Sequence, residues 1–246
     1  MTATEPPRSG AQAVDRAVHV LNCFQGSDPE LSLSELAQRA GLPVSTTFRL
    51  AQALVRGRLL EQDPATDRYR IGHGLACLAR PALSRLGLDA AAPHLYALAA
   101  GIKITVSLSV PDAEEALTVF QARPPVYFCH NQIPQERSPL SSSAVGHALL
   151  AHTPARGDAT TGELFDTVRR RGFAVEEIDS DEPIRAIAVP VLGPDRQVWG
   201  ALGVQARSVR LDRDLVRAVV PAMHQIAVRI GPYFHAGAAG TGFGAP

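Results

Sequence analysis

The 246-residue chain is poor in cysteine, lysine and aromatic residues, and its net charge at pH 7 is zero. Its three cysteines, Cys23, Cys77 and Cys129, are isolated, with no CxxC spacing and no histidine at ligand spacing. This excludes a disulfide framework and a zinc site, and we expect no metal and no cofactor. No apolar run approaches the roughly 18 residues that span a bilayer, and the N-terminus lacks the apolar core of a signal peptide. The sequence therefore predicts a cytoplasmic protein without a membrane segment.

The lack of net charge also limits how the chain could bind nucleic acid. The first 85 residues carry ten Arg against eight acidic residues, an excess of only two positive charges. Such a small excess gives no strong global field. Any affinity for DNA must come from a local arrangement of arginines and from dimerisation.

The N-terminal third contains the signals of two consecutive helices. Ser32 and Glu35 have the spacing of a capping box, and Leu31 with Leu36 that of a hydrophobic staple. Gly41 is placed to end this first helix, because glycine readily adopts the left-handed conformation that many helix ends require.

The second helix has Pro43 in its first turn, where the missing N–H is tolerated. Apolar residues at helical spacing predict its buried stripe: Phe48, Ala51, Leu54 and Val55. The other side carries short hydroxyls near the N-terminus and guanidinium groups later, a pattern typical of insertion into the major groove. The predicted DNA contacts of this helix are Ser45, Thr46, Thr47, Arg49 and Arg56.

Two short apolar segments, LLEQ and RYRI, flank a turn over residues 63–67 and predict a β-hairpin directly after this helix. Arg68 and Arg70 alternate with Tyr69 and Ile71, so one face should be basic and the other should pack. We expect Arg68 and Arg70 to contact phosphates or the minor groove. The two helices and the hairpin together indicate a winged helix-turn-helix, with double-stranded DNA as its partner.

The second half of the chain has a different periodicity. Short β-rich runs are separated by Pro, Gly and Asp: ITVSLSV, ALTVF, VYFC, IRAIAVPVL and VWGALGVQA. Helices are predicted over residues 144–151, 163–171 and 212–230. This order favours an α+β domain around an antiparallel sheet. Before it, an Ala/Leu-rich stretch containing Pro81 and Pro93 predicts a linker helix, a break and a new helix.

Four segments of the chain, in the same order, resemble the IclR family of bacterial transcriptional regulators. They are AVDRAVHVLNCF, GLPVSTTFRLAQALVRGRLLEQD, SPLSSSAVGHALLA and RGFAVEEIDSDEPIRAIAVPV. The resemblance implies an N-terminal winged helix-turn-helix joined by a helical linker to a GAF-like α+β effector-binding domain. It also implies a homodimer or a dimer of dimers, and no catalysis. The expected boundaries are 10–73 for the DNA-binding domain, 74–87 for the linker helix, 88–235 for the effector-binding domain and 236–246 for a disordered tail.

The resemblance further implies a pocket for a small organic effector, with organic and aromatic acids as candidates. The implied lining residues are Ser141, Ser142, Ser143, Glu176, Ala186, Gly203 and Gln205. Here Ser141 replaces a usual His, Ala186 a frequent Cys, and Gly203 and Gln205 two small Ser-like residues. An acid needs several donors to replace its water shell, and a thiol and two hydroxyls are lost. This favours a larger or less acidic effector, or a pocket that has lost its ligand.

Two other functions are compatible with parts of the sequence. Residues 141–143, His147, His152 and Asp158 include the residue types of a hydrolase triad, although no GxSxG elbow is present and the serines precede a helix. A helix-turn-helix can also serve only for protein contacts, in which case the chain would show no salt-dependent affinity for DNA.

Overall fold

The computed structural model describes residues 9–25, 28–125, 134–153 and 159–234. It divides the chain into two compact units, Met1–Ala82 and Leu83–Pro246. The predicted tail, the VYFC strand and Asp158 lie outside the described residues. Within the described ranges, no helix is both long and apolar enough to cross a membrane.

The first unit combines helices with a small antiparallel sheet in the order β1-β3-β2. Its elements are α1 (Ser9–Asn22), β1 (Glu30–Leu31), α2 (Leu33–Ala40), α3 (Val44–Arg56), β2 (Leu60–Gln62) and β3 (Tyr69–Ile71). The hairpin of β2 and β3 is the predicted one, whereas β1 was not predicted. Tyr69 and Ile71 were both predicted to pack against the unit. Tyr69 is buried as predicted, whereas Ile71 is not, since its exposed fraction is 43%.

Helix α2 is fixed at both ends by the predicted local contacts. Ser32 Oγ accepts a hydrogen bond from the backbone N–H of Glu35 at 3.3 Å, and the Glu35 carboxylate accepts one from Ser32 N at 2.7 Å. Leu31 and Leu36 are buried in one apolar cluster. Gly41 ends the helix with φ of 60°, in the left-handed region. The capping box and the glycine stop are confirmed.

The buried side of α3 differs from the predicted stripe. Thr47, Ala51 and Leu54 are buried, while Phe48 has an exposed fraction of 47%. The row that faces the core of the unit therefore begins at Thr47, one position earlier than predicted. Thr47 tolerates burial because its hydroxyl donates to the carbonyl of Pro43 at 3.1 Å, which leaves no unpaired polar group. Pro43 itself immediately precedes the helix instead of lying in its first turn.

Two helices follow the hairpin, α4 (Gly74–Arg85) and α5 (Leu88–Ile102). They are separated as predicted, but Pro81 and Pro93 lie inside the helices and do not make the break. The break lies at Gly87, whose φ is 63°. A Cβ there would come within 2.7 Å of Tyr233 Cβ. Both the conformation and the close approach therefore require glycine.

The second unit contains a six-stranded antiparallel sheet in the order β6-β5-β4-β9-β8-β7. Its remaining elements are β4 (Val106–Asp112), β5 (Glu115–Ala122), β6 (Arg137–Pro139), α6 (Ala144–Leu150), α7 (Ala159–Arg171), β7 (Ala174–Ile178), β8 (Ile184–Leu192), β9 (Val198–Arg207), α8 (Arg213–Ile230) and a 3-10 helix at Gly231–Tyr233. Helices α5 and α8 pack on one face, and α6 with α7 on the other. Because both faces are covered, β8 and β9 are buried along most of their length. The predicted α+β fold class is confirmed.

Candidate functional site

In the first unit, the outward side of α3 presents hydroxyl and guanidinium groups. Ser45, Arg49 and Arg56 are exposed, and Thr46 is half-buried. Among the described residues, neither Arg49 nor Arg56 forms an ion pair, so both guanidinium groups can approach a phosphate or a guanine. Thr47 does not belong to this surface, because its side chain is fully buried beneath it. Thr47 is therefore not placed to contact DNA, contrary to the prediction.

The arginines of the β2–β3 hairpin, the predicted wing, have acidic partners. Arg68 Nη2 lies 2.8 Å from Glu35 Oε2 and donates to the carbonyl of Glu30 at 3.2 Å. Arg70 pairs with the Glu30 carboxylate at 3.3 Å and with that of Glu61 at 3.2 Å. Both guanidinium groups are partly exposed. A phosphate could bind either of them only by sharing or replacing a carboxylate.

Glu61 is the centre of this charged group. Its carboxylate lies 2.5 Å from His73 Nδ1, and it also accepts hydrogen bonds from the His73 backbone N–H and from Arg70. The hydrogen bonds from the His73 ring and backbone, followed by that from Arg70, lower the pKa of Glu61 to about 2. The Glu61 carboxylate is therefore ionised at neutral pH. Sequence reasoning did not predict these acidic partners, which come from three separate segments.

In the second unit, a small cavity of about 40 Å³, partly open to solvent, lies between the sheet and the first turn of α6. This volume is well below the range of about 300–1,000 Å³ typical of small-molecule sites, and it leaves room for only a few water-sized groups. Five predicted effector residues line it: Ser143, Glu176, Ala186, Gly203 and Gln205. The sequence did not predict four lining residues that carry hydroxyls: Ser107, Ser109, Thr118 and Ser138.

Strand register brings the predicted lining residues together. Glu176 on β7 lies opposite Ala186 on β8, and Ala186 lies opposite Gln205 on β9. Gly203 faces Ser107 on β4, so the row of lining residues continues across the sheet. Ala186, Gly203 and Ser107 have small side chains or none, which leaves space beneath α6.

Ser143 faces the cavity because it caps α6. Its Oγ accepts from the backbone N–H of Gly146 at 3.0 Å and donates to the carbonyl of Pro139 at 2.6 Å. The carboxylate of Glu176 accepts from the N–H of Ala144 at 2.9 Å. Glu176 therefore contributes to the cap of this helix as well as to the cavity wall.

Ser141 and Ser142, also predicted to line the pocket, do not. Both are exposed and lie before the cap of α6, where their side chains do not reach the cavity. His147 Nε2 lies 2.9 Å from the carbonyl oxygen of Ser141, not from a serine hydroxyl. Within the described part of the chain, no serine hydroxyl is hydrogen-bonded to a histidine and no acidic, His and Cys group is placed to hold a metal.

The chain is similar to known proteins in both of its units. The chain matches a model for the IclR helix-turn-helix domain over residues 13–64 and one for the bacterial transcriptional regulator IclR C-terminal region over 159–231. Together the two matches cover just over half of the sequence. A curated relative, the glycerol operon regulatory protein of Streptomyces griseus, is 27% identical over 222 residues, which are 82% of this chain and 87% of the relative.

Solved structures share the fold. An IclR transcriptional regulator from Alicyclobacillus acidocaldarius has a TM-score of 0.75 at 23% identity, covering 91% of this chain and 99% of that one. An IclR homolog from Microbacterium hydrocarbonoxydans, complexed with 4-hydroxybenzoate, has a TM-score of 0.74 at 24% identity and the same coverage. The families and relatives are transcriptional regulators and not enzymes. The chain belongs to the IclR family of bacterial transcriptional regulators, whose N-terminal helix-turn-helix binds DNA.

Proposed function

We propose that the chain binds a double-stranded operator through α3 and the wing, and that a small organic molecule in the cavity of the second unit changes this affinity. The observation that carries the proposal is the cavity beneath α6, which five of the seven predicted effector residues line. Control of this kind requires the ligand to bind the DNA-binding and non-binding states with different affinities.

For the DNA contact, the main support is the polar side of α3, where the Arg49 and Arg56 guanidinium groups form no ion pair with the described residues. The proposed contacts are Ser45, Thr46, Arg49 and Arg56 on α3, with Arg68 and Arg70 on the wing. The test is binding of the full chain to the DNA upstream of its own gene, measured by fluorescence anisotropy over a salt series. Affinity that falls with salt and exceeds that for a scrambled duplex supports the proposal. A chain with no salt-dependent affinity would be a protein-contact module instead.

For the effector, the test is the same binding curve with and without each of seven compounds. They are 4-hydroxybenzoate, lactate, propane-1,2-diol, 1-aminopropan-2-ol, mandelate, 1-phenylethane-1,2-diol and 2-amino-1-phenylethanol. Ala186→Leu should fill the cavity and abolish any response while DNA binding without ligand is retained. Gly203→Leu is more disruptive, since even a Cβ would come within 2.7 Å of Ser107 Oγ and 3.0 Å of Val145 Cγ1. Ala186→Val is therefore the second, milder variant. A response that survives both Ala186 variants would place the effector elsewhere.

We also propose that the chain acts as a homodimer or a dimer of dimers, since a symmetric regulator reads two half-sites. Support comes from large apolar side chains left exposed on α1 and α4 in the described structure. Their exposed fractions are 62% for Val14, 49% for Val18 and 65% for Leu78. Light scattering at concentrations that saturate DNA tests this, and a monomer there would contradict it.

A further inference from the structure

Given the proposed function, which supplies the premise that a ligand occupies the cavity, we infer that this ligand is a small, non-acidic molecule bearing hydroxyl or amino donors. A carboxylic acid does not match the lining.

Four of the five lining hydroxyls already use their hydrogens inside the protein: those of Ser107, Ser109, Thr118 and Ser143. Ser107 Oγ donates to the carbonyl of Gly203 at 3.2 Å. Thr118 Oγ1 donates to the carbonyl of Gln135 at 2.8 Å. Ser109 Oγ lies 3.2 Å from Thr118 Oγ1, and because the Thr118 hydrogen is committed, Ser109 is the donor of that pair. Each hydroxyl has one hydrogen and two lone pairs, so these groups face a ligand as acceptors.

The first turn of α6 is also occupied by the protein's own groups. Ser143 Oγ donates to Pro139 and accepts from the N–H of Gly146. The N–H of Ala144 donates to Glu176 Oε2 at 2.9 Å. A carboxylate ligand could accept a hydrogen bond from this N–H only by displacing the carboxylate of Glu176.

The charge of the cavity wall also disfavours an acidic ligand. Glu176 is the only charged side chain among the described residues that line the cavity, and no Arg, Lys or His of the described chain lines it. Its second oxygen, Oε1, makes no hydrogen bond to the described residues and can accept one from a ligand. An ionised acid accepts hydrogen bonds but cannot donate them, and like charges repel in a partly desolvated site. An alcohol donates to Glu176 and to the serine lone pairs, and an amine adds a favourable charge.

The test uses matched probes that differ in a single group. The small set is lactate, propane-1,2-diol and 1-aminopropan-2-ol, and the larger set is mandelate, 1-phenylethane-1,2-diol and 2-amino-1-phenylethanol. Each is added at equal concentration to the full chain, and the melting temperature is recorded. A diol or amino alcohol in roughly tenfold excess over its Kd should raise Tm by about 3–6 °C, and its acid should raise it less. An acid that binds as tightly as its partners, or six probes without any shift, would overturn the inference.

Glu176→Gln tests the charge directly. The amide oxygen can still accept from Ala144 N, so the cap of α6 can be retained, and circular dichroism checks the fold. We expect the Kd of the amino alcohol to rise at least about tenfold by calorimetry, because a charged pair is lost, while the acid gains affinity. Glu163→Gln, the same change at an exposed site on α7, is the control and should alter neither. An unchanged preference in Glu176→Gln would show that Glu176 does not select the ligand.

The two proposals fail in different ways. If diols or amino alcohols bind but operator affinity does not change, the ligand class is supported and effector control fails. If only the acids bind and they do change operator affinity, effector control is supported and the ligand class is wrong.

Discussion

At the scale of the residue, a shift of one position along α3 decides which side chains face outward and which are buried. Thr47 was expected at the DNA and Phe48 in the core, yet Thr47 is buried and Phe48 is largely exposed. Threonine can occupy a core position in a helix when its hydroxyl bonds the carbonyl four residues earlier. The remaining polar face is narrower than predicted and centres on Arg49.

Arg49→Ala should therefore weaken specific binding. If the guanidinium forks onto a base or phosphate, the expected loss is about 1–3 kcal/mol of binding free energy. Anisotropy with the upstream duplex measures it, and circular dichroism checks the fold. Arg229→Ala, at an exposed arginine on α8, serves as the control. Unchanged affinity in folded Arg49→Ala would remove this face of α3 from the interface.

At the scale of the element, the wing is tied to the rest of its unit by arginine–carboxylate pairs. Arg68 reaches Glu35 on α2, and Arg70 joins Glu30 on β1 to Glu61 on β2. Exposed pairs of this kind contribute little to stability. Their main consequence is that each wing arginine has a fixed position and a carboxylate that a phosphate must replace.

Arg70→Ala should weaken binding to all DNA sequences alike. If Arg70 exchanges a carboxylate for a phosphate in the complex, its loss should reduce the slope of log K against log salt by about 0.9. Glu61→Gln is the matched comparison, since it keeps the arginine and releases one partner, and its slope should not fall. A change in base preference without a change in slope would contradict the assignment.

The break between α4 and α5 gives a second prediction at this scale. Gly87→Ala places a Cβ at positive φ and against Tyr233, so it should lower the free energy of unfolding by more than about 1 kcal/mol. Urea denaturation measures the loss. Gly101→Ala is the control, because Gly101 is a helical residue with open space around it and alanine should be neutral or stabilising there. Equal stability of the two variants would mean that Gly87 is not required.

At the scale of the molecule, two half-buried histidines make stability depend on pH. Burial lowers the pKa of His152 below 6.5, and the charge of Arg169 lowers it further. Burial also lowers the pKa of His224, with a smaller contribution from His152. The unfolded chain therefore binds protons more readily than the folded one.

The stability that the neutral form of these two histidines contributes is therefore complete above about pH 6.5 and decreases as the pH falls below it. Denaturation from pH 7.5 to 5 should show this decrease, and His224→Gln should make it less steep. His94→Gln, outside this pair, is the control. A pH dependence that is the same in both variants would exclude His224 as a contributor.

Features encoded by neighbouring residues could be predicted from the sequence alone. The capping box of Ser32 and Glu35, the glycine stop at Gly41 and the β2–β3 hairpin are local, since each depends on residues a few positions apart. Hydrophobic periodicity predicted the α+β class of the second unit. Four segments that resemble the IclR family, in the same order, predicted the family.

Tertiary structure decided which residues meet. Glu176, Ala186 and Gln205 lie far apart in sequence and become neighbours only through the register of three strands, which long-range pairing sets. The same is true of the hydroxyls of β4 and β5, whose hydrogens are donated to other groups of the protein, so that their lone pairs remain for a ligand. The resemblance to the IclR family predicted a pocket near Ser143. The direction of each hydrogen bond, and with it the ligand that fits, depends on backbone positions that only the folded chain defines.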